Sequence, residues 1–468
     1  MSIMAGKPHV LVIPYPAQGH VMPLMKLAYK IAENGYKVTF VNTDVIQAKI
    51  MSAMHENFKE QTHINFVSIP DGLESNNDKK DPFKDLKILC QVMPSHLQNL
   101  IEKINQSEDE EQITCVIAET TAWWALEVAQ KLGIRRAAFS PPGLGNMALV
   151  LHIPKLIEAG VIDANGMPIT NELISLSRDI PAWNPKELLW SCPGQPELQK
   201  FMFENFCSKA IQAIKISNWH ITNSFYELEQ SANHLVPSIL PIGPLTSTTH
   251  LSHFPGSFRP EDSTCLSWLD KQPEGSVIYI SFGSTTVITQ KQFEELASGL
   301  EQLIQPFLWI VRSDLINGSF AEFPNGFKER VANRGKIVEW ASQEKILSHP
   351  SIACFLSHCG WNSVMEGISN GIPFLCWPYF ADQFYNQRYT CETWKVGLRL
   401  NPDEKGIITR QEIETKIKLL ISDNVIKETA AKMKEIARKS ITAGGSSLRN
   451  FKVFIEQLKC YKFSSKCN

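Results

Sequence analysis

The chain has 468 residues, more than the roughly 250–300 at which a single hydrophobic core stops growing, so two domains are expected. Its 46 basic and 48 acidic side chains leave a formal net charge of −2 with no long block of one sign, which removes support for a nucleic-acid partner or an acidic membrane surface. Its cysteines are scattered and odd in number, without a CxxC pair, and so argue against a disulfide framework or a zinc site and point to a reducing, cytoplasmic environment.

The N-terminal MSIMAGKPHVLVIPYP holds an apolar run too short for a signal-peptide core or a bilayer span, so no stable membrane insertion is expected. In chain order, HVLVIPYP reads as a strand, residues 22–34 as a helix and KVTFVNT as a second strand. TCVIAE and the helical AWWALEVAQKLG follow. A second series opens at GSVIYISFGS and continues through a helix near 291–303, then FLWIVR, GKIVEW, SIACFLSH and GIPFLCWP. Strands alternating with helices predict an α/β protein with parallel sheets covered on both faces. Residues 240–263, rich in Pro, Gly, Ser and Thr, read as a linker, and GGSS at 444–447 precedes the amphipathic LRNFKVFIEQLK. The expected organisation is a first domain over 1–245, a second over 246–445, and a C-terminal helix in 446–468 that packs back on the first.

In open α/β sheets ligands sit beyond the carboxyl ends of strands, so function belongs in the loops that follow them. After SIACFLSH the loop His358-Cys-Gly-Trp-Asn-Ser leads into a helix. A helix N-terminus offers unpaired N–H groups and partial positive charge, and His358, Gly360, Asn362 and Ser363 add a donor ring, close backbone approach and two short polar side chains. Those features suit a diphosphate. Glu366, one turn later on the same face, suits a ribose diol, and Trp340 after GKIVEW suits a stacked base. Asp382 and Gln383 end a third loop with an acceptor and an amide suited to neighbouring sugar hydroxyls. Each residue alone also has a structural reading as core or cap; their combination points to a nucleotide sugar.

The stretch WASQEKILSHPSIACFLSHCGWNSVMEGISNGIPFLCWPYFADQ, residues 340–383, resembles the signature box of plant secondary-product glycosyltransferases that use UDP-sugars. The likeness runs through YPAQGH, CLSWLD, SVIYISFGS and FLWIVR, so the chain resembles a family 1 UDP-glycosyltransferase. That resemblance implies the GT-B architecture, two facing Rossmann-like domains with an interdomain cleft. It also implies that Trp340 stacks uracil, that the region of Ala341 and Gln343 bonds its edge, and that Glu366 holds the ribose. Ser284, His358, Asn362 and Ser363 would take the diphosphate with the Trp361 backbone nearby, and Asp382 and Gln383 would hold the hexose. A terminal glutamine in the box implies UDP-glucose. Ser342 stands where the family usually has proline.

Transfer with inversion needs a base near neutral pKa. His20, in YPAQGH between the first strand and its helix, is placed where a helix N-terminus disfavours the imidazolium, and the resemblance makes it the general base. Glu119 stands where the family usually has the aspartate that orients this histidine. Trp123, Trp124, Phe139, Met147, Trp190 and Phe203 are apolar candidates for the acceptor pocket. The acceptor is expected to be a small phenolic, flavonoid, terpenoid or hormone. No metal or cofactor is expected, because no Asp-x-Asp pair is placed to hold a magnesium-bridged nucleotide. A monomer is expected. A nucleotide-sugar-binding protein without catalysis is the alternative; a nicotinamide-dependent oxidoreductase lacks its GxGxxG after the first strand.

Overall fold

The computed structural model describes residues 8–53, 64–73, 82–108, 111–245, 261–316 and 321–459. The chain separates into two compact units, one of residues 1–171, 190–258 and 440–468, the other of 172–189 and 259–439. Most of the expected linker, 246–260, lies outside the described residues.

The first unit is built on a parallel sheet of seven strands, β1 (His9–Ile13), β2 (Lys37–Thr43), β3 (Ile64–Ile69), β4 (Ile113–Glu119), β5 (Arg135–Ser140), β6 (Trp219–Thr222) and β7 (Ile239–Pro241). Their order is β3-β2-β1-β4-β5-β6-β7. The continuous apolar run of β1 is buried throughout, as a strand covered on both faces requires. From β1 the chain crosses outward to β2 and β3, then returns to lay β4 against β1 with Val12 beside Ile117. The strand order therefore reverses between β1 and β4, the place where such sheets leave a crevice at their carboxyl ends. The sequence reading did not single out β3, β5, β6 and β7. RRAAFS carries two arginines and no β-branched residue, and WHIT and ILP are too short to show a period.

The helix expected over 22–34 spans Gln18–Glu33. Ala17 is extended and His20 N already donates to Ala17 O at 2.9 Å, so His20 lies in the first helical turn and not in the preceding loop. The first turn is polar, so the hydrophobic period becomes visible only beyond it. The C-terminal helix Ser446–Lys459 belongs to this unit and buries Phe451, Phe454, Ile455 and Leu458 in the core around Val10, Val12 and Tyr36. These positions form one helical stripe, each worth about 1.5–3 kcal/mol on burial. Tyr36 Oη donates to Ile455 O at 2.6 Å, and Arg135 donates to the carbonyls of Gln457 and Leu458 at 2.9 and 2.8 Å, satisfying the helix C-terminus with a cation.

The second unit holds a parallel sheet of six strands, β8 (Val277–Ser281), β9 (Phe307–Ile310), β10 (Gly335–Val338), β11 (Ile352–Ser357), β12 (Phe374–Cys376) and β13 (Gly397–Arg399), in the order β10-β9-β8-β11-β12-β13. Here the order reverses between β8 and β11. Its core includes Phe293, Phe307, Trp309 and Leu356, all fully buried.

Residues 172–189 depart from the expected boundaries: they cluster with the second unit although the sequence assigns them to the first domain. Their attachment is aromatic. Trp183, buried and bridged to Ile174, stacks flat on Tyr385 with ring centroids 4.3 Å apart. Tyr385 Oη donates to Pro181 O at 3.0 Å, and Arg388 Nη1 donates to Ala182 O at 3.2 Å. No hydrophobic period marks this segment. Among the described residues no helix is long and apolar enough to cross a membrane.

Candidate active site

In the second unit the loops after β8 and β11 meet at the strand-order reversal. Gly283 adopts φ +68°, and a Cβ added there would fall 2.5 Å from His358 Nε2; one added at Gly360 would fall equally close. The imidazole of His358 thus occupies space that only two glycines leave open. Burial first, and then the Arg312 charge, push His358 down to about 4, so its ring is neutral at physiological pH. Its Nδ1 has no hydrogen-bond partner among the described residues. Arg312, itself buried two residues past β9, donates to Ser284 O at 2.7 Å, to Thr286 O and to Asp314 at 2.7 Å. It fixes the loop that carries Ser284, a role the sequence reading of FLWIVR did not assign.

The next turn aims the helix Trp361–Asn370. Cys359 takes φ +65°, a left-handed conformation that costs a non-glycine residue about 1–3 kcal/mol unless its surroundings hold it. Ser357 Oγ accepts from Cys359 N at 3.1 Å, and Asn386 Nδ2 donates to Cys359 O at 2.9 Å. Gly360 is the N-cap of that helix and brings no side-chain acceptor to its first turn. Ser363 is buried, while Asn362 and Glu366 are half-buried. The Trp361 ring is buried toward Trp394, which leaves its backbone on the turn.

Gln343 opens the helix Gln343–Leu347, with Ser342 at the N-cap position but making no side-chain capping bond. Its Nε2 donates to Ser363 Oγ at 2.7 Å and Glu366 Oε2 at 2.8 Å, and its Oε1 accepts from Tyr279 Oη at 3.2 Å. The amide expected at the edge of a base instead ties two site residues together. Ala341 is buried and Trp340 half-buried, two residues past the end of β10. Gln383 Oε1 accepts from the backbone N–H groups of Tyr379 and Phe380 at 2.9 and 3.3 Å, so the amide presents its NH2 end. Asp382 Oδ2 accepts from Asn386 Nδ2 at 2.9 Å.

In the first unit His20 follows β1 and Glu119 ends β4, so the reversal of that sheet brings them together across 99 positions of sequence. His20 Nδ1 donates to Glu119 Oε1 at 2.6 Å. Glu119 is fully buried, takes a further bond from Thr121 Oγ1, and receives Tyr15 N at 3.4 Å on Oε2. The Tyr15 ring meets His20 edge-on at 5.2 Å, and Phe206 meets Tyr15 at 6.1 Å. Burial first, then Glu119, push the Tyr15 hydroxyl up to about 12. The sequence reading missed both aromatic rings. Phe206 lies in the π turn Phe203–Ser208, which has no sequence signature.

Of the six acceptor candidates, Trp124, Phe139, Met147, Trp190 and Phe203 are all buried below 5% exposure. Trp190 Nε1 donates to Gly166 O at 2.7 Å, and its ring packs against Phe203. These five are interior packing, because apolar helical spacing marks burial and does not by itself mark a lining. Trp123 alone is half-buried, with the Lys209 ammonium 4.5 Å over its ring. Among the described residues no three His, Cys, Asp or Glu side chains gather as a metal site.

The family described as UDP-glucoronosyl and UDP-glucosyl transferase matches residues 198–440. UDP-glycosyltransferase 83A1 of Arabidopsis thaliana is 42% identical over 464 residues, covering 97% of both chains. Linamarin synthase 1 of Manihot esculenta is 33% identical over 485 residues, covering 96% of this chain and 97% of its own. A UDP-glucosyltransferase from Polygonum tinctorium capable of glucosylating indoxyl, solved with 3,4-dichloroaniline, matches with a TM-score of 0.82 at 28% identity over 98% of this chain and 100% of that one. Os79 from O. sativa in complex with UDP matches with a TM-score of 0.78 at 25% identity over 96% and 100%. The chain belongs to the plant family 1 UDP-glycosyltransferases. It is an enzyme of the GT-B class, with two Rossmann-like parallel-sheet domains.

Proposed function

We propose that this enzyme transfers glucose from UDP-glucose, with inversion, to a hydroxyl of a small lipophilic plant metabolite, a phenolic, flavonoid, terpenoid or hormone, and that His20 is the general base. The observation that carries the reading is the 2.6 Å bond from His20 Nδ1 to the buried Glu119 carboxylate. A carboxylate on one ring nitrogen fixes the tautomer in which Nε2 accepts a proton, and stabilises the imidazolium that results. The acceptor hydroxyl gives its proton to Nε2 while its oxygen bonds to the anomeric carbon. The bond from that carbon to the diphosphate oxygen breaks on the opposite face, and its electron pair leaves with UDP.

On this reading Trp340 stacks on uracil, Ala341 adjoins its edge, and Glu366, oriented by Gln343, accepts the ribose hydroxyls. Ser284, His358, Asn362, Ser363 and the N–H groups beyond Gly360 receive the diphosphate, whose growing charge they stabilise without a metal. Asp382 accepts from the hexose hydroxyls and the Gln383 NH2 donates to them. Tyr15, beside His20, and Phe206, beside Tyr15, adjoin an aromatic or apolar acceptor. The described cysteines are all free thiols, which supports a cytosolic enzyme, and we take it to act as a monomer.

Purified protein incubated with UDP-glucose or UDP-galactose and a mixed panel of plant phenolics and terpenoids, with products weighed by mass spectrometry, tests the reading. One hexose added from UDP-glucose, undiminished by a chelator, is the expected result. Preference for UDP-galactose, or activity lost to chelator and restored by magnesium, overturns the corresponding part.

A further inference from the structure

We propose that Asn386 is a positioning residue that sets the Asp382 carboxylate against the turn at Cys359, so that hexose and diphosphate are gripped at one fixed separation. The inference rests on the donor reading above, in which Asp382 takes the hexose and the turn takes the diphosphate.

Asn386 is 1% exposed and lies on the helix Gln383–Arg388. That helix runs on into the π-helical turn Tyr389–Thr393, and Asn386 lies in its first turn. The Asn386 side-chain NH2 makes one tertiary and one local bond: Nδ2 donates to Cys359 O and to Oδ2 of Asp382, the N-cap residue of its own helix, each at 2.9 Å. An amide nitrogen carries two hydrogens, so both are used. One bond holds a left-handed residue of the loop that precedes the helix Trp361–Asn370, and the other fixes one oxygen of Asp382. A bond to Oδ2 restricts rotation of the Asp382 carboxylate and so orients the group that meets the hexose. Cys359 is also held through its N–H by Ser357 Oγ at 3.1 Å, so the turn keeps a side-chain bond when Asn386 is lost.

The test compares dissociation constants of UDP and UDP-glucose for full-length wild type, Asn386→Leu, Asn386→Asp and Asp382→Asn, by calorimetry at pH 8 and 5.5. Asn386→Leu keeps the volume and removes both donors. UDP-glucose binding is expected to weaken roughly tenfold, the worth of a hydrogen bond to a charged group, and UDP binding much less. Asn386→Asp sets two carboxylates together; its UDP-glucose affinity is expected to be weakened at pH 8 and to recover at pH 5.5, where one shared proton restores the bridge. A role in packing alone gives no such recovery, and this variant decides the matter if the leucine variant does not fold. An unchanged ratio of the two constants in both Asn386 variants, with Asp382→Asn altering it, overturns the positioning role alone. A ratio unmoved by Asp382→Asn overturns the donor reading beneath it.

Discussion

Glu119 holds His20 through a 2.6 Å bond while keeping no exposure of its own, and Thr121 Oγ1 and the backbone N–H of Tyr15 donate to it as well. The three donors orient the buried carboxylate, and the carboxylate in turn orients the ring. This separates the two residues kinetically. His20→Ala is expected to lower kcat roughly a hundredfold or more, the usual contribution of a general base. Glu119→Gln keeps the shape but removes the charge that favours imidazolium, and about a tenfold to hundredfold loss is expected. Glu119→Asp, one methylene shorter, is expected to fall between wild type and Glu119→Gln. Initial rates at saturating UDP-glucose check the series, and equal turnover in wild type, Glu119→Gln and Glu119→Asp removes the carboxylate from the mechanism.

Gly283→Ala is expected to damage the donor site through His358. The substitution places a methyl carbon 2.5 Å from Nε2 at a residue with φ +68°. The left-handed backbone alone costs about 1–2 kcal/mol, and the clash displaces the ring or the loop. A lowered melting temperature together with at least roughly tenfold weaker UDP binding is the expected outcome, since about 1.4 kcal/mol is tenfold. Unchanged UDP affinity would separate His358 from the nucleotide.

Stability should decline on acidification through two buried histidines, one in each unit. His220 is pushed down to about 3 by burial, with Nε2 2.5 Å from Ser140 Oγ, and His358 is pushed down to about 4 by burial and Arg312. In the unfolded chain both titrate near 6.5. Their stabilising contribution is therefore complete above about pH 6.5 and is lost as pH falls toward the folded values, at about 1.4 kcal/mol per pH unit for each. Between pH 7.5 and 5 the pair should remove roughly 4 kcal/mol. Urea unfolding at the two pH values measures it, and His220→Gln should reduce the loss. Equal unfolding midpoints would contradict the assignment.

Trp183→Ala should release residues 172–189 from the second unit. Removing a buried indole stacked at 4.3 Å on Tyr385 is expected to cost about 3–5 kcal/mol. Because Tyr385 shares its helix with Gln383 and Asn386, UDP-glucose binding should weaken along with the melting temperature. Limited proteolysis should then cut first within 172–189; cleavage there at the wild-type rate would count against the attachment.

The backbone path of the proposed donor box was legible because it is local. A buried strand, a turn and a helix start follow one another within residues 352–370, so the identities of His358, Gly360, Asn362, Ser363 and Glu366 report directly on one backbone path. The alternation of apolar runs with helical periods likewise set the fold class, because parallel strands need crossovers and must be covered on both faces. Only the tertiary structure decided which distant residues meet. Strand order brought Glu119 to His20 and Gly283 to His358; an aromatic stack assigned residues 172–189; packing turned Phe139 and Trp190 into interior residues. Periodicity records whether a side chain is buried, but its neighbour depends on how crossovers order the strands, and that choice is made by the burial of the whole domain and not by any one segment.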